Sequence, residues 1–525
     1  MLDNDRAWPG AAQRRAAGQQ SGTVSDARRI AIVGGSVGGC EAVLNLLEKF
    51  RQRLPLGRTD ICIFDPRGRF AAGDAFGTTW PSAKLNTDPT RMGPLEQPGG
   101  FALRWLDELP ADPGGAMKRG SFGDDTRAQM DRAVRDLAEL GVTVQFFAEE
   151  IIAIYPQRAS TSGYVLESSH GRHQVDVLVM ATGRASSSGP PEFAGLVSFI
   201  AHPWAPGALD AIPRDHRVLT LGTSLTTVDL VGRLEANGHR GSITTVARTR
   251  GLPTVQNLGA SYRPSVFTHA MIEARTAYGT RQLTWDDVLA LLYAELKAAG
   301  VADTNEGIHD EIHKRIDLAR RNPHAALLKD IAEAQAGQAL VSAVIRALND
   351  ATRFAWPLIT DGDAVRLLRH KSLYAMFANP MPLTNAQLLE RVMTKGLLRV
   401  HVGLTAVTHD AAAGHYIATT TDTHGHTLRH EADTLIVATG NTRRLADAGP
   451  LIRQMLADDM IREHPRGGVD ITPAGRVIGA DGSPASGLWW VGEATEGARL
   501  GTNCVRVIKH HSRATIEDLA AVVYA

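Results

Sequence analysis

The feature that most constrains the fold is the segment Arg29–Glu41, in which an apolar, β-branched run leads into a cluster of glycines. The run predicts a buried strand, and the apolar spacing from Glu41 onward predicts a helix. Gly34 permits a tight turn, and the small side chain of Ser36 allows the backbone to approach a pyrophosphate. Gly39 lets the helix pack on the strand. The predicted nucleotide-binding residues of this turn are Gly34, Gly35, Ser36, Gly38 and Gly39.

A second strand is predicted over Thr59–Asp65, and it ends in a carboxylate. In strand–turn–helix–strand units that bind dinucleotides, an acid at this position binds an adenosine ribose hydroxyl. Ser36 stands where the middle glycine of a G-x-G-x-x-G motif is usual, so the turn alone is a weak signal. Together with Asp65 it favours dinucleotide binding over an ordinary turn between strand and helix.

Composition sets the broad class of the protein. A length of 525 residues predicts two to four domains. Hydrophobic residues make up 43% of the sequence and charged residues 21%, a composition typical of a globular protein. The 56 basic and 56 acidic residues cancel, which argues against a nucleic-acid or membrane partner. Without an 18-residue apolar run or the apolar core of a signal peptide, the sequence predicts a cytoplasmic protein. Residues 1–27 are expected to form a flexible tail.

Neither cysteines nor histidines form a metal or dithiol pattern. Cys40, Cys62 and Cys504 are not spaced as CxxC. His424, His426 and His430 lie between two predicted strands, where a solvated hairpin tip is favoured over a metal site. No metal is therefore expected.

A second strand, small-residue turn and helix begins at Arg217. Two such turns in one chain predict two nucleotides. No acid follows the next strand, Ser242–Ala247; Arg248 and Arg250 lie there instead. A guanidinium suits the 2′-phosphate of NADPH, which is favoured over NADH, although two ordinary surface arginines remain the alternative. The predicted residues of this turn are Gly222, Thr223, Ser224, Leu225 and Thr226.

Between these two units, the long loop from Gly73 to Met92 is expected to be functional. Asn86 could present its amide to a flavin or a substrate, or it could simply form a turn. A helix is predicted near Phe101–Glu108, and helices also near Asp125–Leu140. Two similar strands end in Ala-Thr-Gly at Gly183 and Gly440, where small residues would let the chain cross close to a nucleotide.

Residues 264–395 have a helical pattern and could cap an active site. Helices are predicted over Trp285–Ala299, Ile308–Arg320, Leu327–Asp350 and Ala386–Thr394. A basic cluster within this block could bind a substrate carboxylate, or it could be a solvated helix face. The cluster consists of Arg366, Arg369, His370 and Lys371.

Taken together, these residues resemble the two-dinucleotide flavoproteins, including a family described as FAD/NAD(P)-binding proteins, over about 28–525. The resemblance implies an α/β protein with an FAD-binding Rossmann-like domain, an inserted smaller NAD(P)-binding Rossmann-like domain and a helical insertion. The implied boundaries are 28–205 with 430–525 for FAD, 206–263 with 396–429 for NADPH, and 264–395 for the helical block. Asp65 would bind the adenosine ribose. The Asn86 region and the Gly492 and Thr502 region would approach the isoalloxazine ring. The remaining predicted cofactor-binding residues are Met92, Gly183, Gly440, Glu493 and Asn503.

The nearest wider resemblance is to NADPH-dependent flavin monooxygenases, including N-hydroxylating ones. It implies that NADPH reduces FAD, that oxygen adds at the flavin C4a position, and that the peroxide oxidises an amine nitrogen of an amino acid or similar small molecule. The implied partners are that substrate and molecular oxygen. Two alternatives stay open, an NADPH:acceptor reductase without oxygen insertion and a non-catalytic flavin-binding protein.

Overall fold

The computed structural model describes most of the chain. The described ranges are 27–52, 58–87, 92, 116–157, 163–183, 189–259, 261–440 and 444–524. The expected tail, apart from Ala27, and the helix predicted near Phe101–Glu108 lie outside them.

The strands of the described residues are numbered in chain order. They are β1 (Arg28–Val33), β2 (Thr59–Phe64), β3 (Thr143–Phe147), β4 (Ile151–Pro156), β5 (Tyr164–Ser168), β6 (Gly171–Val175), β7 (Val177–Met180), β8 (Phe199–Ile200), β9 (Val218–Leu221), β10 (Ile243–Ala247), β11 (Leu398–Val402), β12 (Leu404–Asp410), β13 (His415–Thr421), β14 (Thr427–Ala432), β15 (Thr434–Val437), β16 (Arg476–Ile478) and β17 (Pro484–Trp490).

The α-helices of the same residues are also numbered in chain order. They are α1 (Val37–Arg51), α2 (Gly73–Phe76), α3 (Arg119–Glu139), α4 (Leu225–Ala236), α5 (His269–Arg275), α6 (Trp285–Ala298), α7 (Asn305–Arg321), α8 (Pro323–Gln335), α9 (Leu340–Ala347), α10 (Asn349–Ala355), α11 (Asp361–Arg369), α12 (Lys371–Ala378), α13 (Leu383–Thr394), α14 (Pro450–Ala457) and α15 (Val505–Val523).

The first domain is built on a six-stranded sheet in the order β16-β17-β7-β1-β2-β3. All neighbours are parallel except β16 and β17. Side chains of β1 alternate between two cores: Ile30 and Ile32 enter one, while Ala31 and Val33 enter the other. Both faces of the sheet are therefore covered, which explains the continuous apolar run of β1.

The second domain is built on a parallel sheet in the order β11-β10-β9-β15-β8. The boundaries expected from the sequence need correction here, because they assign 199–200 and 434–437 to the first domain. Thr434–Val437 pairs with Val218–Leu221 on one side and with β8 on the other. The chain therefore crosses between the domains before Phe199 and after Val437. Strand pairing of this kind depends on long-range hydrogen bonds that local sequence does not specify.

Two antiparallel three-stranded sheets flank the parallel ones, β4-β5-β6 and β12-β13-β14. The hairpin between β13 and β14 carries His424 and His426 at its exposed turn, where the Asp422 carboxylate accepts hydrogen bonds from both backbone N–H groups. His430 lies within β14 instead, with its Nε2 2.8 Å from Thr420 Oγ1. The described residues include no group of three or more side chains suited to a metal.

Helices α5–α13 make up the helical block, most of which shares one apolar core. The helix predicted over Leu327–Asp350 is wrong as a single element, because it is divided among α8, α9 and α10. Gly337 has φ 72°, which lies outside the right-handed helical region, so the helix cannot continue through this residue after α8. Among the described helices, none combines the length and the apolar character needed to cross a bilayer.

Candidate cofactor and substrate site

The turn between β1 and α1 is packed too tightly for any residue but glycine at two positions. Gly34 has φ 110°, and a Cβ there would lie 2.1 Å from the carbonyl oxygen of Ala181. A Cβ on Gly39 would lie 2.2 Å from the carbonyl oxygen of Gly34. Gly35 faces Phe70, and neither Gly35 nor Gly39 lines a cavity. Gly34, Ser36 and Gly38 do line one, so the predicted residues of this turn divide into packing and cavity-facing positions.

Ser36, which departs from the usual glycine, is accommodated by a second glycine. It caps the start of α1, and its Oγ accepts a hydrogen bond from the Val37 N–H at 2.6 Å. A Cβ on Gly73 would lie 2.6 Å from that Oγ. The serine side chain therefore fills space that the bare backbone of Gly73 leaves, and the turn keeps its shape.

Asp65 follows the last residue of β2 and lines the same cavity. Its Oδ1 accepts hydrogen bonds from the backbone N–H groups of Arg67 (3.0 Å) and Arg69 (3.2 Å), which fixes the carboxylate at the strand end. The guanidinium groups of both arginines face Asp74.

The turn between β9 and α4 repeats the arrangement of the first. Gly222 has φ 115°, and a Cβ there would lie 2.4 Å from the carbonyl oxygen of Ala438. Its own carbonyl accepts hydrogen bonds from Thr227 Oγ1 and Thr245 Oγ1, each at 2.6 Å. Thr223 is buried and donates to the carbonyl of Gly251 at 2.9 Å, so it positions the chain after β10. Ser224, Leu225 and Thr226 line the cavity.

The two Ala-Thr-Gly segments close the two turns. Ala181 donates its N–H to Val33 and Ala438 donates to Leu221, at 2.7 and 2.8 Å. Gly183 and Gly440 then take φ values of 69° and 86° and line the cavity, with no atom within 4 Å of a Cβ built on either. Both segments therefore let the chain pass beside the space that a nucleotide would fill.

Arg248 and Arg250 lie just beyond β10, outside the cavity lining. Arg248 is exposed to solvent. Arg250 is more enclosed, and burial lowers the pKa of its guanidinium to about 10. The side chain between them, Thr249, reaches the helical block, with its Oγ1 3.0 Å from Ser372 Oγ.

Six further predicted cofactor-binding residues line the same cavity. Asn86 is fixed by its backbone carbonyl, which accepts hydrogen bonds from Gln256 Nε2 (2.8 Å) and Arg346 Nη2 (3.1 Å). Gly492 has φ 100° and open space on its Cβ side. The last helix begins at Val505, and the segment before it borders the cavity. The six residues are Asn86, Met92, Gly492, Glu493, Thr502 and Asn503.

The basic cluster expected to bind substrate is not brought together. Arg369 is exposed and outside the lining, whereas His370 and Lys371 border the cavity. Lys371 forms an ion pair with Glu496. The Arg366 guanidinium lies over the Trp285 ring, 4.5 Å from its centroid. The His370 ring also lies beside Trp285, with the two ring centroids 5.5 Å apart, so the cluster is divided between residues that border the cavity and residues that do not.

Sequence reasoning missed a charged group in the helical block. Asp350 pairs with Arg353 (2.9 Å) and with Arg506 of the first domain (2.8 Å). Both arginines line the cavity. The three-residue spacing of Asp350 and Arg353 on a helix was a signal for the local pair, but the contact with Arg506 spans 156 residues.

The residues described above as lining a cavity all border the same one, which has a volume of about 1160 Å³. Its wall includes both dinucleotide turns, both Ala-Thr-Gly segments, the Asn86 loop and the inner face of the helical block. A volume of this size exceeds that of most sites for a single small ligand. The cavity is thus large enough for more than one ligand at a time.

Comparison with known proteins agrees with this geometry. Residues 31–185 match a family described as FAD-NAD(P)-binding. This segment is therefore similar to FAD/NAD(P)-binding domains. The match spans the turn at Gly34, the carboxylate of Asp65 and the first Ala-Thr-Gly segment. No curated protein sequence matches the chain.

Solved structures extend the likeness from this domain to nearly the whole chain. An ornithine N-hydroxylase from Kutzneria sp. 744 is 13% identical with a TM-score of 0.53, over 94% of this chain and 99% of that one. An ornithine hydroxylase from Pseudomonas aeruginosa is 11% identical with a TM-score of 0.55, over 95% and 100%. An L-lysine 6-monooxygenase from Pseudomonas syringae is 13% identical with a TM-score of 0.51, over 94% and 99%. The chain therefore shares the fold of these three enzymes, which agrees with the fold class that the sequence predicted.

Proposed function

We propose that the protein is an FAD-dependent monooxygenase that uses NADPH and O₂ to hydroxylate the amine nitrogen of a small molecule. The observation that carries the proposal is the single cavity into which both dinucleotide turns, the Asn86 loop and the helical block all open. Hydride transfer between two cofactors and oxygen transfer to a substrate both need such a shared space. The solved ornithine and lysine hydroxylases with the same fold support an amine, such as that of an amino acid, as the reacting group.

The residues of the first turn fit FAD. The backbone at Gly34 and Gly38 presents no side chain to the cavity, which leaves room for a pyrophosphate at the start of α1. Asp65 would accept a hydrogen bond from the adenosine ribose. When bound, FAD supplies the redox chemistry, taking two electrons from NADPH and passing them to O₂.

The overall reaction consumes NADPH, O₂, one proton and the amine. NADPH gives up a hydride and becomes NADP⁺, and one proton is taken from solvent. One atom of O₂ forms the new N–O bond of a hydroxylamine, and the other leaves as water. The chain's contribution is to bind the reactants, to orient them and to keep water out.

The second turn is the proposed site for NADPH. Ser224, Leu225 and Thr226 border the cavity at the start of α4, where free backbone N–H groups favour a phosphate. Ser224 forms no side-chain cap on its helix, so its hydroxyl is available to a ligand. Arg248 would bind the 2′-phosphate from outside the cavity, where its exposed guanidinium can swing.

Asn86 is the residue we assign to the reacting centre. Hydrogen bonds from Gln256 and Arg346 hold its backbone carbonyl, which ties the loop to the second domain and to the helical block. Asn86 lines the cavity, and these two bonds restrain its main chain. Its side-chain amide can donate to a flavin oxygen or accept from the substrate amine.

The test is anaerobic reduction of the flavin-loaded protein by NADPH and by NADH, followed by mixing with O₂ in a stopped-flow instrument. We expect faster reduction by NADPH, then a transient absorbance distinct from both oxidised and reduced flavin whose decay an amine substrate accelerates. Direct return to oxidised flavin with release of hydrogen peroxide would contradict oxygen insertion and favour a reductase. Failure of either nucleotide to reduce the flavin would favour a non-catalytic protein.

A further inference from the structure

The cavity has a wall that binding of the two nucleotides does not explain. Helix α6 contributes four lining residues at spacings of three, four and seven along one face, and α7 contributes two more, one turn apart. All six side chains are apolar. They are Trp285, Val288, Leu289, Leu292, Ile312 and Ile316.

Three charged residues of α6 and α7 have partners within the protein. Asp287 pairs with Arg281 at 2.9 Å, and it also caps the first turn of α6. Glu295 accepts backbone N–H bonds from Ser265 and Val266, at 2.9 and 2.7 Å. On α7, Arg315 pairs with Glu311 on its own helix. The six lining side chains themselves carry no charge, and the Arg366 guanidinium lies over one of them, 4.5 Å from the Trp285 ring centroid.

Three positively charged groups elsewhere on the cavity wall have carboxylate partners. Lys371 pairs with Glu496, and both border the cavity. Arg353 and Arg506 share Asp350. A substrate carboxylate near these arginines would compete with Asp350, and a substrate ammonium group near Glu496 would compete with Lys371.

We propose that the wall formed by α6 and α7 is a subsite for a hydrocarbon body, so that the protein binds amines with an apolar body in preference to amino acids. This refines the proposed function and rests on it for the identity of the reacting nitrogen. The amine lies near Asn86, and the body extends along the four residues of α6. Affinity then comes from removal of apolar surface from water.

The first measurement is calorimetric binding of n-butylamine, n-hexylamine, n-octylamine, L-ornithine and L-lysine to the FAD-loaded protein. We expect affinity to rise by about fourfold for each added methylene, which corresponds to ~0.8 kcal/mol of transfer free energy. The two amino acids should bind more weakly than n-octylamine. Equal affinity along the series, tighter binding of either amino acid, or no binding of any amine would overturn the proposal.

Variants that fill the subsite provide the second measurement. Leu292→Trp and, on the adjacent turn, Leu289→Trp should each weaken n-octylamine binding by about tenfold or more, through overpacking. Binding of n-butylamine should change little. Leu328→Trp is the matched control, because Leu328 is 47% exposed on α8 and outside the lining. Thermal unfolding checks that each variant folds. If Leu289→Trp and Leu292→Trp fold and bind n-octylamine as tightly as the control does, the proposal is overturned.

The proposed function and the proposed subsite are tested by different measurements. NADPH reduction of the flavin and the response of reduced flavin to O₂ test the proposed function without any amine. If those reactions fail while the alkylamine series behaves as expected, the oxygenase assignment is lost and the subsite stands. If they succeed while the series is flat, the subsite is lost and the oxygenase assignment stands.

Discussion

Arg248 and Arg250 lie two residues apart at the end of β10, yet their surroundings differ. Arg248 is exposed, whereas burial lowers the pKa of the Arg250 guanidinium. Thr223 donates to the carbonyl of Arg250 at 3.1 Å, so the backbone here is held against the second turn. This contrast suggests different roles, with Arg248 free to reach a phosphate and Arg250 packed beside the turn.

Replacement of Arg248 by alanine should raise the KM for NADPH by about tenfold to a hundredfold, the loss expected for charge-assisted hydrogen bonds. The KM for NADH should change little, because NADH lacks the 2′-phosphate. Steady-state reduction of the flavin by each nucleotide measures both values. Arg399→Ala, at an exposed position on neighbouring β11, serves as the control. An equal change for the two nucleotides would remove Arg248 from the phosphate site.

At the scale of elements, one contact recurs in both parallel sheets. The first glycine of each turn lies against the carbonyl that ends the neighbouring strand segment, Gly34 against Ala181 and Gly222 against Ala438. Each strand–turn–helix unit therefore packs closely against the backbone that follows the neighbouring strand. The turn, the helix and the adjacent Ala-Thr-Gly segment form one rigid unit.

Gly34→Ala tests this unit. A Cβ at 2.1 Å from the Ala181 oxygen, on a residue with φ 110°, forces β7 and α1 apart. We expect the free energy of unfolding to fall by at least ~2 kcal/mol and FAD to be lost on purification. Urea unfolding and the flavin absorbance of the purified protein measure the two effects. Gly362→Ala is the control: it lies in α11 with no atom within 4 Å of a Cβ, and should be neutral or slightly stabilising. Full flavin occupancy in Gly34→Ala would contradict the packing argument.

At the scale of the whole molecule, an aromatic and charged contact joins the first domain to the second. Trp80 and Trp204 stack with ring centroids 4.7 Å apart. The guanidinium of Arg119, at the start of α3, lies 5.4 Å from the Trp204 ring centroid and pairs with Asp229 on α4 at 2.8 Å. Asp229 is only 2% exposed, and burial raises the pKa of its carboxyl to about 6 despite the charge of Arg119.

The raised pKa of Asp229 predicts how stability depends on pH. Between the model-peptide pKa of 3.8 and about 6, the folded state binds the proton more tightly than the unfolded state, so stability falls as pH rises. Asp229→Asn removes this titration. We expect the variant to match wild type near pH 4 and to exceed it by up to about 3 kcal/mol at pH 7. Urea unfolding across this pH range is the measurement.

Asp210→Asn is the matched control for that experiment. Asp210 bonds Arg233 and Asn237 on the second domain, and these contacts lower the pKa of its carboxyl despite some burial. Its contribution is present at neutral pH and lost as pH falls, so the difference from wild type has the opposite sign. A difference between wild type and Asp229→Asn that does not vary with pH would contradict the assignment for Asp229.

The sequence by itself determined the local units. The order of apolar strand, glycine turn and helix at Gly34 and Gly222, and the carboxylate of Asp65 at a strand end, follow from backbone sterics and periodicity that act within about ten residues. The helical character of 264–395 was equally readable. These features were sufficient to predict the fold class and two nucleotide-binding turns.

Only the tertiary structure decided which of these units meet. It placed Thr434–Val437 in the second sheet, left Arg369 outside the cavity lining that Lys371 borders, paired Asp350 with Arg506 and placed one apolar face of α6 on the cavity wall. Each of these depends on contacts between residues far apart in the chain. The local pattern shows that a helix has an apolar face, but the packing of the other elements determines whether that face fills a core or lines a cavity.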